Sequence, residues 1–255
     1  MNPYLQNAFG LEGKRAVITG GGSGIGLAIA RCMIHAGARV TLLGRTESTL
    51  AEACAELGEN ADYLVFDITQ SQLIPGTVER LLETGPVHIL VNNAGKHCKK
   101  PVEQVTEEDL AAVLQVNLTG AFVLTKALLP QMRERKDGSI LFISSLSAYM
   151  GLTYVSAYGA AKAGVTGFAR ILAGEVAGDN VRVNVITPGF IETEMFRKAT
   201  SGDPSRQERI LTRTSMHRYG KPEDIGWAAV YLCGNGANFV TGTSLLVDGG
   251  MLAGF

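Results

Sequence analysis

Ala16-Val17-Ile18-Thr19-Gly20-Gly21-Gly22-Ser23-Gly24-Ile25-Gly26 is the stretch that decides the fold. Its first three residues form a short apolar run, suited to a strand buried on both faces. Five glycines then fall within seven residues, and Leu27 to Met33 resumes a helical composition. Strand, glycine-rich turn and helix start, in that order, describe a phosphate-binding crossover. Glycine accepts positive φ and lets an anion approach the backbone. The helix N-terminus adds unpaired N–H groups and about half a positive charge. The spacing Thr19-Gly20-x-x-x-Gly24-x-Gly26 is neither the G-x-G-x-x-G order nor a P-loop, which needs Lys-Ser/Thr. A glycine turn that only tightens strand against helix would look similar.

Outward from that turn, strand-like runs recur at Arg15–Thr19, Arg39–Leu43, Asp62–Phe66, His88–Val91, Ser139–Ile143, Arg182–Ile186 and Ser244–Val247, with helical stretches between them. Most are continuous apolar runs, the pattern of parallel strands covered on both faces. They predict one α/β domain over residues 1–255: a doubly wound, seven-stranded parallel sheet with its ligands at the strands' carboxyl ends. The 255 residues suit a single large domain, and 46% apolar with 18% charged residues suits a large core. A net charge of −1 gives no case for nucleic acid. Cys32, Cys54, Cys98 and Cys233 lie far apart without a C-x-x-C pair, which points to free thiols in a reducing compartment and to no metal site. No leader pattern opens the chain and no uninterrupted apolar span reaches membrane length, so a cytoplasmic protein with no membrane partner is expected. From Gly189 to Lys221, mostly polar residues separate a strand exit from the next helix, a length that suits a substrate lid.

Several strand ends carry candidate binding groups. Where an NAD enzyme would place an acid for the ribose hydroxyls, the second strand ends in Gly44-Arg45. A guanidinium there can grip a 2′-phosphate, which favours NADP(H), with NAD(H) the alternative; Glu47 and the absence of a basic residue at Ser23 weigh the other way. Asp67 closes the third strand, where its carboxylate could cap the next helix or bond an adenine. Asn92-Asn93-Ala94-Gly95 leaves the fourth strand with small residues and amides fit for a ribose and for bracing the sheet. The basic run Lys96-His97-Cys98-Lys99-Lys100 follows, either a solvated loop or an attractor of an anionic substrate. Thr106 and Asp109 form a capping pattern for a helix through Leu110, Val113, Leu114 and Val116 that carries Asn117.

The chemistry lies further on. The fifth strand delivers Ser144-Ser145; Tyr158 comes thirteen residues after Ser145, and Lys162 four after that. At that spacing Tyr158 and Lys162 share a helix face, and Ala157, Gly159, Ala160, Ala161, Ala163 and Gly164 keep their surroundings small. Interconverting an alcohol and a ketone needs a general acid/base. A tyrosine of pKa about 10 must fall to about 7, roughly 4 kcal/mol. One ammonium at about 4 Å and an effective dielectric of ~20 supplies about that much. Ser145 can hold the substrate oxygen.

Together these motifs resemble the short-chain dehydrogenase/reductase family, classical type, from Gly13 to Gly250. The resemblance implies a Rossmann-fold oxidoreductase acting on a secondary alcohol or ketone, with Asn117, Ser145, Tyr158 and Lys162 catalytic. Asn117 would hold a water that links the lysine to solvent. It implies a cofactor seat from Gly20, Gly22, Ser23, Gly24, Ile25 and Gly26, with Arg45, Asp67 and Ile68 toward the adenosine. Asn93, Ala94, Gly95, Tyr158 and Lys162 would line the ribose. Pro188, Gly189, Ile191 (by its backbone) and Thr193 (by its hydroxyl) would meet the nicotinamide. The resemblance turns Asp67 toward adenine and implies a homotetramer. Met195, Phe196, Arg197, Lys198, Met216, His217 and Arg218 are lid candidates for the substrate pocket. Lys99-Lys100-Pro101 and His217-Arg218 look most like the gluconate and polyol dehydrogenase branch, which implies a sugar acid or polyol. A 3-oxoacyl thioester reductase shares every motif, and a nucleotide-binding regulator without turnover would keep the fold.

Overall fold

The computed structural model describes residues 2–254, with the backbone alone at Met195 and Ala199. Seven parallel strands form one sheet: β1 (Arg15–Thr19), β2 (Arg39–Gly44), β3 (Ala61–Val65), β4 (Ile89–Asn92), β5 (Gly138–Ile143), β6 (Val181–Pro188) and β7 (Ser244–Val247). Their spatial order is β3-β2-β1-β4-β5-β6-β7, so the chain reverses its direction of winding between β1 and β4. Crossovers leave to opposite faces at that point and open a crevice at the carboxyl ends.

The helices are α1 (Pro3–Phe9), α2 (Gly24–His35), α3 (Glu47–Leu57), α4 (Ile74–Glu83), α5 (Glu107–Leu114), α6 (Gly120–Arg135), α7 (Ser156–Val176), α8 (Glu194–Thr200), α9 (Pro204–Arg213) and α10 (Pro222–Cys233). Side chains of β1 alternate between the two faces although the run is apolar throughout. Ala16 and Ile18 pack with Ile29 and Met33 of α2, Leu50 of α3 and Ala229 of α10. Val17 faces the opposite layer, with Val78 of α4, Leu124 and Leu128 of α6 and Leu172 of α7. Each such side chain removed from water contributes roughly 1.5–3 kcal/mol. β3 is the exception: as an edge strand it leaves Tyr63 and Val65 exposed. It ends at Val65, one residue before the predicted Phe66.

Three local features add to the sequence reading. The helix predicted around Asn117 is broken: α5 ends at Leu114, Gln115–Thr119 form a π turn, and α6 begins at Gly120. Asn117 Nδ2 donates to the Val113 carbonyl at 2.9 Å, the acceptor its own N–H would use in an α-helix. Gly120 fits the next turn against Ile68, whose Cγ1 would lie 2.5 Å from an added Cβ. Secondly, Glu107–Arg135 as a continuous helical run is long and apolar enough to cross a membrane by length and composition, although Gln115, Asn117, Thr119 and Lys126 interrupt its apolar residues. Its apolar residues include Leu124, Leu128 and Met132, fully buried against the sheet. Thirdly, the polar segment after β6 is not structureless. Thr193 Oγ1 caps α8 by accepting from the Phe196 N–H, and Asp203 caps α9 through the Arg206 N–H. A bridge between Ile191 and Gly220 closes the segment at its base. α1 was not foreseen, although Asn2-Pro3 is a helix-start signal, and the Asn2 side chain accepts from the Tyr4 N–H. All four cysteines are free thiols.

Candidate active site

The glycine turn combines left-handed backbone with a close approach of α2. Gly20 and Gly24 have φ of +64° and +55°, in the left-handed region. A Cβ on Gly26 would lie 2.2 Å from the Gly20 carbonyl oxygen, so only glycine lets α2 start this close to the turn. Ser23 stands at the N-cap without a side-chain capping bond. The first N–H groups of α2 therefore face the crevice without a side-chain cap, as a pyrophosphate requires. Thr193 is the nearest neighbour of Gly24, 3.6 Å from its would-be Cβ. The segment after β6 thus meets the phosphate turn.

The run after β4 is tied to that turn. Thr19 Oγ1 accepts from the N–H groups of Asn93 and Ala94, both at 3.0 Å. Asn93 Nδ2 donates to the carbonyls of Thr19 and Gly20. The bracing role expected of these amides is therefore met, and the Asn93 amide group is engaged by backbone. Asp67 Oδ1 accepts from the Thr69 N–H and hydroxyl at 2.9 and 2.8 Å, a local turn two residues beyond β3. That is closer to the capping alternative. The Ile68 side chain is buried in the core, which leaves only its backbone toward the crevice. Arg45 is exposed at the end of β2, while Glu47 accepts from the Tyr63 hydroxyl at 3.5 Å. Pro188 ends β6, and the Gly189 N–H donates to the Val247 carbonyl. The Ile191 side chain is buried, again leaving its backbone for contact.

Ser145, Tyr158, Lys162 and Asn117 converge at the carboxyl ends of β4 and β5. The Ser145 hydroxyl, which accepts from the Ser147 N–H at 3.2 Å, lies beside the Tyr158 phenol. Lys162 Nζ donates to the Ile143 carbonyl at 2.8 Å and lies 5.6 Å from the Tyr158 ring centre. Its neighbour Ser144 is structural, bonding the Lys162 carbonyl and Thr166. Asn117 donates to the carbonyls of Lys96 and Val113. Its buried Oδ1 has no hydrogen-bond partner among the described residues. That oxygen is 3.1 Å, and Lys162 Nζ 3.9 Å, from a Cβ placed on Gly95, so glycine keeps open the space both face.

The electrostatics differ from the two-charge argument made from sequence. Burial pushes the Tyr158 phenol up to about 12, with the nearby Ser145 hydroxyl acting in the opposite direction. Burial pushes the Lys162 ammonium down to about 8. A charge removed from water is disfavoured on either side chain, so burial favours the neutral phenol and the neutral amine.

The basic loop divides. Lys100 Nζ bonds Asp109 at 2.5 Å, which removes it as a free attractor of anions. Lys96 and Lys99 are exposed. His97, not singled out from the sequence, stacks on Tyr158 with ring centres 3.8 Å apart and planes 28° apart. In the lid segment, Phe196 packs between Phe190 and Tyr219. Arg197 and Lys198 pair with Glu192 and Glu194 at the surface. Met216 and Arg218 line a cavity of about 550 Å³ with Phe190, Ser215 and Asp248. His217 instead turns its Nδ1 to the Leu211 carbonyl. Met195 lies outside the described side chains.

The family model described as short chain dehydrogenase matches residues 14–204. A 2-dehydro-3-deoxy-D-gluconate 5-dehydrogenase of Bacillus subtilis is 37% identical over 253 residues, covering 98% of this chain and 99% of that protein. A 3-oxoacyl-acyl-carrier-protein reductase of Vibrio cholerae is 37% identical over 242 residues, covering 94% and 98%. Among solved structures, a gluconate 5-dehydrogenase from Burkholderia cenocepacia in complex with NADP and tartrate superposes with a TM-score of 0.93 at 31% identity, covering 98% of this chain and 100% of that one.

Proposed function

The chain belongs to the short-chain dehydrogenase/reductase family, and from that premise we propose that it interconverts a hydroxyl and a ketone on a sugar acid or polyol with NADP(H). The carrying observation is the Tyr158 phenol with the Ser145 hydroxyl beside it and buried Lys162, one helical turn on, 5.6 Å from its ring centre. The glycine turn and the uncapped start of α2 fit a pyrophosphate, and exposed Arg45 fits a 2′-phosphate better than an acidic residue would. Ala94 and Gly95 would line the ribose, and Pro188, Gly189 and Thr193 would meet the nicotinamide. When bound, NADP supplies the hydride acceptor and a positive ring. Tyr158 takes the hydroxyl proton in oxidation and returns it in reduction. Ser145 steadies the reacting oxygen by hydrogen bonding. Lys162 stabilises the phenolate, and Asn117 Oδ1 orients a water toward that ammonium. The segment over 189–221 closes on the substrate as a lid, and the protein works as a cytoplasmic homotetramer; exposed Phe122, Ile171 and Phe239 support assembly.

Tyr158→Phe tests this directly. Turnover of gluconate-type acids should fall by at least about three orders of magnitude, while NADP affinity, measured by nucleotide fluorescence, stays within a few-fold. Retained turnover would overturn the mechanism. The second assignment, a 3-oxoacyl thioester reductase, is favoured by relatives of that activity at the same identity. Comparing kcat/KM on a sugar acid and on a 3-oxoacyl thioester, with NADP and NAD in turn, separates the two.

A further inference from the structure

Lys96 to Lys100 follows β4 and is held at both ends. The Lys96 carbonyl accepts from Asn117 Nδ2 at 2.8 Å, and the Lys100 N–H donates to the Tyr154 carbonyl at 2.9 Å. Tyr154 holds that carbonyl in place with φ of +67°, a conformation a bulky residue seldom adopts without compensating contacts. Lys100 is further anchored to Asp109, which also completes the capping box of α5. The backbone of the loop is thus fixed, and it lays the His97 ring flat on one face of Tyr158 at 3.8 Å. Among the described residues neither nitrogen of His97 has a hydrogen-bond partner, and the residue reaches solvent.

A ring resting on the proton-transferring phenol is adjacent to whatever hydrogen-bonds to that phenol, since such a bond spans about 2.7 Å. Burial and the nearby Lys162 hold the imidazole below its ordinary range, so it is neutral at pH 7, with one nitrogen donating and the other accepting. That pair of functions matches a hydroxyl, which also donates and accepts. A ring used only for packing would be served as well by Phe.

We propose that His97 is a specificity-determining residue that hydrogen-bonds the hydroxyl on the carbon next to the reacting one, selecting α-hydroxy ketones and vicinal diols over plain ketones and alcohols. This rests on the oxidoreductase assignment above and adds to it the feature of the substrate that is recognised. His97→Phe keeps a flat ring on Tyr158 and removes both nitrogens; His97→Gln keeps a donor and an acceptor. The ratio of kcat/KM for gluconate to kcat/KM for a secondary alcohol without a neighbouring hydroxyl should fall about ten-fold in His97→Phe. It should recover to within about three-fold in His97→Gln. Equal losses on both substrates, or no recovery with Gln, would overturn the proposal.

A binding measurement separates this outcome from failure of the assigned activity. Gluconate is titrated into the wild-type protein saturated with NADP, with isotope-labelled histidine followed by NMR. The His97 ring signals should shift with saturation, whereas addition of the plain alcohol should leave them in place. Unmoved His97 signals on gluconate addition would refute the role whether or not turnover is seen. Absence of turnover with shifted signals would overturn the assigned reaction alone.

Discussion

At the scale of single residues, the site sets two opposed titrations side by side. Lys162 is depressed from 10.5 to about 8 by burial. A group whose native pKa is lowered favours the fold above its unfolded pKa, and that contribution is lost as pH falls through the native value. At pH 7 the charged ammonium is therefore a strain on stability, on the order of 3 kcal/mol before its bond to the Ile143 carbonyl is counted. Lys162→Met should abolish turnover and yet keep or raise Tm at pH 7; a large drop in Tm would refute this accounting. Tyr158 runs the other way. Its pKa is raised to about 12, so its contribution is complete below pH 10 and lost as pH rises through 12. Urea unfolding of Tyr158→Phe should show a shallower alkaline loss than the wild type. The tyrosine, the lysine and their spacing were legible in the sequence because they occupy one helix. Their ionisation was not, because burial outweighs the mutual charge and only the packed site determines burial. His97 was hidden for a related reason: its contact with Tyr158 depends on hydrogen bonds that its loop makes with Asn117 and Tyr154, remote in the chain.

At the scale of elements, the glycines of the phosphate turn separate into two kinds. Gly26 is required by space, with the Gly20 carbonyl 2.2 Å and Asn93 Nδ2 2.6 Å from a would-be Cβ. Gly24 is required by conformation, at φ +55° with open surroundings. Gly24→Ala should cost about 1 kcal/mol in urea unfolding. Gly26→Ala should cost several times that, and NADP affinity should fall with it because α2 must move off the turn. Similar losses in both would show that the close approach of α2 matters less than these distances require. The strands themselves were readable as unbroken apolar runs set between helices. The π turn was not, because Gln115–Thr119 has an ordinary helical composition. It is opened by one side-chain amide taking a backbone acceptor.

At the scale of the molecule, the two ends of the sheet have separate tasks. The carboxyl ends hold the crevice, while the opposite end is closed by arginines that satisfy helix and loop carbonyls. Arg15 donates to the carbonyls of Leu81 and Gly85, Arg135 to those of Val87 and Asp137, and Arg182 to those of Leu232, Val240 and Gly234. Arg182→Met removes a charged donor from these carbonyls and should destabilise by about 2–3 kcal/mol, with kcat/KM unchanged within two-fold. A kinetic defect without a stability loss would contradict that division. The π turn links the two ends, because α6 continues from it along the whole sheet. Loss of a single amino acid between 115 and 119 would heal the helix into regular form, and so be mild for the backbone itself. Because the π turn already takes up that extra residue, α6 would keep its facing, with Leu124, Leu128 and Met132 still against the sheet. The cost of such a deletion would fall on the crevice and not on the core: Asn117 would lose the Val113 carbonyl and its aim at the space beside Lys162.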